Sequence, residues 1–151
     1  MKSGLSRFCL IAGLLLAGGC VCARPLPEVS VCTKGTILTL EVAANPTARA
    51  CGLSYRKSLA PDHGMLFVVP EPEALQFWMR DTRIPLSIAF LNQAGQVLDI
   101  QEAKPAQRHE HYVAPEPVTY AIEVNSGWFE THQIDVGDVL DIRLPASIRI
   151  R

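Results

Sequence analysis

This chain has no surplus of positive charge. Fourteen Lys and Arg stand against fifteen Asp and Glu, a formal net charge of −1 over 151 residues. Without a basic excess there is no electrostatic reason to expect a nucleic-acid partner. Also missing are a Gly-rich phosphate loop, a nucleophile elbow and a zinc-protease motif, which removes the usual sequence signatures of nucleotide, serine-hydrolase and metalloprotease chemistry. There is no Cys-x-x-Cys, so nothing points to a dithiol redox centre or a zinc knuckle. Beyond the first twenty or so residues, no apolar run is long enough to span a bilayer, which takes about 20 residues. No cofactor is expected.

The N-terminus does carry a signal. Lys2 and Arg7 precede the apolar run Leu10–Ala17, which small residues follow; this is the pattern of a signal peptide over residues 1–23. Val21-Cys22-Ala23 is a small-x-small cleavage site that releases a chain beginning at Arg24, and soluble export is the favoured reading. Leu16-Ala17-Gly18-Gly19-Cys20 is an alternative exit resembling a lipobox, with a lipid anchor at Cys20. The leader holds two bases and no acids, so the exported chain has a net charge of about −3. Both exits place the protein in the periplasm or outside the cell. Of five cysteines, Cys9, Cys20 and Cys22 fall in the leader. Cys32 and Cys51 remain as an even pair in an oxidising compartment, and a structural Cys32–Cys51 disulfide is expected.

Residues 24–35 lack periodicity and read as a flexible arm, with a single domain over residues 36–146. Thr36–Ala43 is β-branched and apolar, a first strand. Asn45-Pro46 has the chemistry of a helix start, and Gly52 is placed to end a short helix. Met65–Val69 reads as a core strand broken by Pro70 and Pro72, and Gln76–Met79 as a return to extended chain. Leu86–Phe90 and Gln96–Ala103 alternate as half-buried strands around an Asn92–Gly95 turn. Residues 104–118 form a long loop, and Tyr120, Ile122 and Val124 mark another strand. Trp128–Gln133 is a short helix, with Trp128 plugging an open end of the sheet. Leu140, Ile142 and Leu144 mark a last strand. The expected fold is mainly β: a small antiparallel sandwich or barrel, jelly-roll-like, with one or two short helices.

The chemistry concentrates where Phe77-Trp78 runs into Met79-Arg80-Asp81-Thr82. Arg80 is suited to clamp an anionic or carbonyl group, Asp81 and Thr82 to hydrogen-bond beside it, and Trp78 to floor a shallow pocket. Glu123, on the opposite strand face from Ile122 and Val124, is expected to be solvated unless it meets Arg56 or Arg80. His109 and His111 are a solvated pair rather than a metal site, and Asp62-His63 is turn chemistry.

Several segments together resemble DUF192, also known as UPF0127, a family of small bacterial and archaeal proteins without an established activity. They are Gly52-Leu53-x-x-Arg56, Gly64-Met65-Leu66-Phe67, Phe77-Trp78-Met79-Arg80-x-Thr82, Ile84-Pro85-Leu86, Ala121-Ile122-Glu123-Val124-Asn125-x-Gly127 and Val136-Gly137-Asp138. The resemblance implies a compact β domain of jelly-roll or barrel type. This chain has Ser54 where the family often has Met, Ser87 where it commonly has Asp after Pro-Leu, and Asp81 where it usually has Asn. The functional expectation is a non-enzymatic module binding a small polar or anionic ligand through Trp78, Arg80, Asp81, Thr82, Glu123 and Arg56. The alternative is a small hydrolase or lyase with Asp81 and Glu123 as acid and base.

Overall fold

Thr36–Ala43 (β2) supplies Leu38, Leu40 and Val42 to one core layer, as its alternation predicts. A computed structural model, describing residue 22 and residues 24–107 and 109–151, places β2 inside a six-stranded sheet. The other strands are Glu28–Thr33 (β1), His63–Glu73 (β3), Leu86–Leu91 (β5), Val97–Ala103 (β6) and Val118–Asn125 (β8). Their order is β1-β2-β3-β8-β5-β6. Gln76–Trp78 (β4) and His111–Val113 (β7) pair separately as a small antiparallel ribbon.

The fold is mainly β with two short helices, as expected, but the sheet is open rather than closed into a barrel. It is also mixed: β2 runs parallel to β3, because Pro46–Cys51 (α1) and its following link carry the chain back across the sheet. Asn45 caps α1 by accepting a 2.9 Å hydrogen bond from the Ala48 amide, Pro46 opens the helix, and Gly52 (φ +50°) ends it.

Both faces of the sheet are covered. On one, Trp128–Thr131 (α2), Ile134 and Leu140 close over Val29, Val31, Leu66, Val68 and Ile122. On the other, α1, Leu53, Met79 and the β4–β7 ribbon close over Met65, Phe67, Leu86, Ile88 and Phe90. Trp128 is buried, and its indole Nε1 donates to Asp62 Oδ1 at 3.0 Å. The double cover corrects the reading of Leu86–Leu91 as half-buried: every residue of β5 is buried.

Four further segments depart from expectation. Residues 28–33, expected within a loose arm, are strand β1, paired with β2 from Glu28↔Glu41 to Thr33↔Thr36. Pro70 and Pro72 do not end β3; the β3–β8 register jumps between Val68 and Glu73, so the prolines sit where no ladder amide is required. The 104–118 loop contains β7. The last expected strand does not form. Of it, Val139 makes one bridge to Gln96, and Leu140 instead plugs the core.

The disulfide also differs from the expected pair. Cys51 is bonded to Cys22, with Cα atoms 5.4 Å apart, and Cys32 is free and exposed. Cys32 pairs with Ile37 at the start of the edge-strand ladder, whereas α1 follows from the far end of β2 after Ala43, so the length of the strand separates Cys32 from Cys51. Cys20 and the apolar run of the leader lie outside the described residues.

Candidate functional site

Strand alternation places Met65, Glu123 and Ile88 side by side on the sheet face beneath α1. Two apolar neighbours and a helical roof leave Glu123 only 5% exposed. It is not on a solvated face, because the ribbon and α1 cover that face. Its carboxyl has no hydrogen-bond partner among the described residues, and burial alone pushes its pKa from 4.5 to about 8. Arg56, one of the two arginines expected to meet it, is committed elsewhere. Arg56 makes a bidentate pair with Glu41, 2.6 and 2.8 Å, and Glu41 sits beside Met65 on β2, two strands from Glu123.

Glu123 opens into a cavity of about 260 Å³. Phe67 and Phe77 wall it, their rings edge to face at 4.8 Å, and Thr82 lines it as a second buried polar side chain. Gly52 matters by what it omits: a Cβ there would lie 3.8 Å from Glu123 Oε2 and 3.4 Å from the Phe67 ring. Arg49 of α1 reaches the cavity too, while its Nη1 donates to the Val68 and Arg151 carbonyls at 3.0 and 2.9 Å. Trp78 stands at the cavity's edge, 58% exposed and edge-on to His111 at 6.2 Å.

The structure therefore brings Trp78, Thr82 and Glu123 to one cavity and leaves Arg80, Asp81 and Arg56 outside its lining. The Arg80 side chain is 63% exposed and faces Asp81 at 3.6 Å. Arg56 lines neighbouring hollows on the other side of the Cys51–Gly52 corner. Phe77, the first residue of the aromatic pair, lines the cavity with Trp78, whereas nothing in the sequence singles out Arg49 or Phe67 as lining residues. No cluster of His, Cys, Asp and Glu that could hold a metal occurs among the described residues.

Ser87 is accounted for separately. It pairs with Val124, so it faces the opposite side of the sheet from Glu123. Buried there, its hydroxyl accepts from the Gly127 amide at 2.8 Å and donates to Glu102, which also receives the Ser126 hydroxyl. That is a brace for the turn into α2, with no route to the cavity.

Against known proteins, the family model DUF192, described as "Uncharacterized ACR, COG1430", matches residues 29–142. The chain belongs to the DUF192 family. The "UPF0127 protein PF1050" of Pyrococcus furiosus is 31% identical over 116 residues, covering 72% of this chain and 92% of that one. Among solved structures, a "putative transcription regulator" from Sinorhizobium meliloti 1021 superposes with a TM-score of 0.70 at 35% identity, over 76% of this chain and 91% of that one. A protein of unknown function from Novosphingobium aromaticivorans gives 0.68 at 30% identity, over 76% and 84%. DUF192 membership thus carries the fold and no activity.

Proposed function

We propose that this DUF192 protein is an exported, non-enzymatic binding module whose ligand enters the Glu123 cavity. One observation carries the reading: a residue buried in the sheet whose carboxyl, unpaired within the protein, meets an open, aromatic-walled cavity. Leaving such a group unpaired costs stability, and a bound polar group would recover it. At about 260 Å³ the cavity is at the lower end for small-molecule sites, which favours a small ligand over a peptide or nucleic acid. The balanced charge of the chain is a poor match to the regulator title of the Sinorhizobium relative. The hydrolase alternative loses support, because Asp81 lies outside the cavity and faces Arg80.

Export rests on the leader. The Cys22–Cys51 bond supports the Cys20 exit over the Ala23 one, since cleavage after Ala23 would discard Cys22.

Ala50, an exposed residue of α1 that lines the cavity, offers the test. Wild-type protein and Ala50→Trp are melted in the presence of a library of small polar metabolites. Compounds that raise the melting temperature of wild type but not of the variant support the cavity. A library-wide failure to stabilise wild type, or equal stabilisation of both proteins, counts against it.

A further inference from the structure

Resting on that reading of the cavity, we propose that Glu123 recognises a neutral carboxamide-type group (a primary amide, lactam or urea) on a small apolar body. The geometry sets the demand. Glu123 approaches the cavity from the sheet floor, Gly52 leaves the space above its Oε2 open, and Phe67 and Phe77 supply apolar walls. A carboxyl held in such surroundings stays protonated at neutral pH, in accord with the upward shift that burial imposes. In that form it offers one O–H donor and one carbonyl acceptor a short distance apart. A carboxamide presents the mirror set. The Glu123 O–H donates to the ligand carbonyl, and the ligand N–H donates to the Glu123 carbonyl oxygen. Both buried groups are then satisfied without moving a charge into the cavity.

The surrounding charges argue against the two charged ligand classes. Arg49 lines the cavity from α1, so a cationic ammonium would enter beside a guanidinium. An anionic carboxylate would meet Glu73 at the end of β3, which is also in the lining, so the two opposite charges leave no net preference for either ion over a neutral group. On the same sheet face Glu41 is already held by Arg56, and β5, packed beside Glu123, brings no charged residue. His111 stands against the Trp78 rim and Gln76. Glu123 is therefore the group whose proton state the ligand would read.

Three probes share one ring and differ in head group: benzamide, benzylamine and benzoate. Their binding is followed by ligand-observed NMR and titration between about pH 6 and about pH 9.5. Benzamide is expected to bind in preference to the others. Its affinity should be about thirtyfold lower at about pH 9.5 than at about pH 7, because only the protonated carboxyl pairs with it. Glu123→Gln keeps a donor and an acceptor, so it should still bind benzamide and lose the pH dependence. Benzylamine binding that strengthens as pH rises would overturn the amide assignment and leave the cavity as a binding site for cations. Benzoate in preference to benzamide would likewise overturn it. Failure of all three at millimolar concentration, in wild type and Glu123→Gln alike, would sink both the ligand class and the cavity reading.

Discussion

Replacing Glu123 by Gln removes one ionisation from the interior and leaves the side-chain shape nearly unchanged. Burial raises the carboxyl from 4.5 to about 8 in the folded protein, whereas the unfolded chain titrates near the ordinary value. The folded state therefore holds the proton more tightly. Between those two pH values the native protein binds more protons than the unfolded one, so its stability falls as pH rises and levels off above pH 8. At about 1.4 kcal/mol per pH unit, the cost of Glu123 is under about 1 kcal/mol at pH 5. It is about 3 kcal/mol at pH 7 and about 5 kcal/mol at pH 9. These are upper bounds, because water entering the open cavity solvates part of the carboxylate. Urea unfolding of both proteins at the three pH values makes the comparison, with stability read from the midpoints at a common slope. Glu123→Gln should match wild type at pH 5 and exceed it increasingly toward pH 9. Parallel pH profiles would refute the reasoning, since they would mean that Glu123 is either solvated or paired in solution.

Gly64→Ala should cost about 3 kcal/mol or prevent folding, because the added Cβ would lie 2.3 Å from the Glu123 carbonyl oxygen and 2.8 Å from Val124 Cγ1; chemical denaturation reads it. Arg80→Ala should change stability by less than about 0.5 kcal/mol and leave ligand binding intact, because the side chain is 63% exposed and outside the cavity; a melting-temperature loss of many degrees would make Arg80 structural. Alkylation of unfolded, non-reduced exported protein should label Cys32 and spare Cys51. Its intact mass should include Cys22, and reducing the 29-residue bridge should cost about 4 kcal/mol in the chain-entropy model; a mature chain starting at Arg24 would contradict the bridge.

Local chemistry was legible wherever a residue's role is set by its neighbours in the chain. Asn45, Pro46 and Gly52 announce α1, and the alternation of Ile122 and Val124 announces β8. What alternation does not carry is whether the second face of a strand meets water or another layer. Glu123 and Ser87 were both read as outward residues for that reason, and both are covered, one by α1 and the ribbon, the other by the turn into α2. Pro25 and Pro27 mask the strand signal in residues 24–35, the spacing of two between Val29, Val31 and Thr33. At the other end, Leu140, Ile142 and Leu144 carry the same spacing, yet the segment meets the β6 edge only at the Gln96–Val139 bridge before Leu140 turns into the core. Of the segment Trp78–Thr82, Trp78 and Thr82 line the cavity. Its charges do not mark the cavity: Arg80 extends to solvent against a half-buried Asp81, while Thr82 turns inward with Met79.

Gly52, Phe67, Phe77, Thr82 and Glu123 come from five separate segments and meet around one cavity. All but one or two of these positions could serve packing alone. Glu123 could not. A buried carboxyl without a partner is a standing loss, and this chain had the means to avoid it. An apolar residue would extend the floor made by Met65 and Ile88, and Arg56 lies close enough to the same sheet face to pair with Glu41 instead. At Glu123 the interior rule is broken where the core opens to solvent through an aromatic-walled mouth. Departures of this kind concentrate at functional sites, where stability is traded for the ability to bind. For this DUF192 protein the trade points to Glu123, and to whatever small polar group completes its hydrogen bonds.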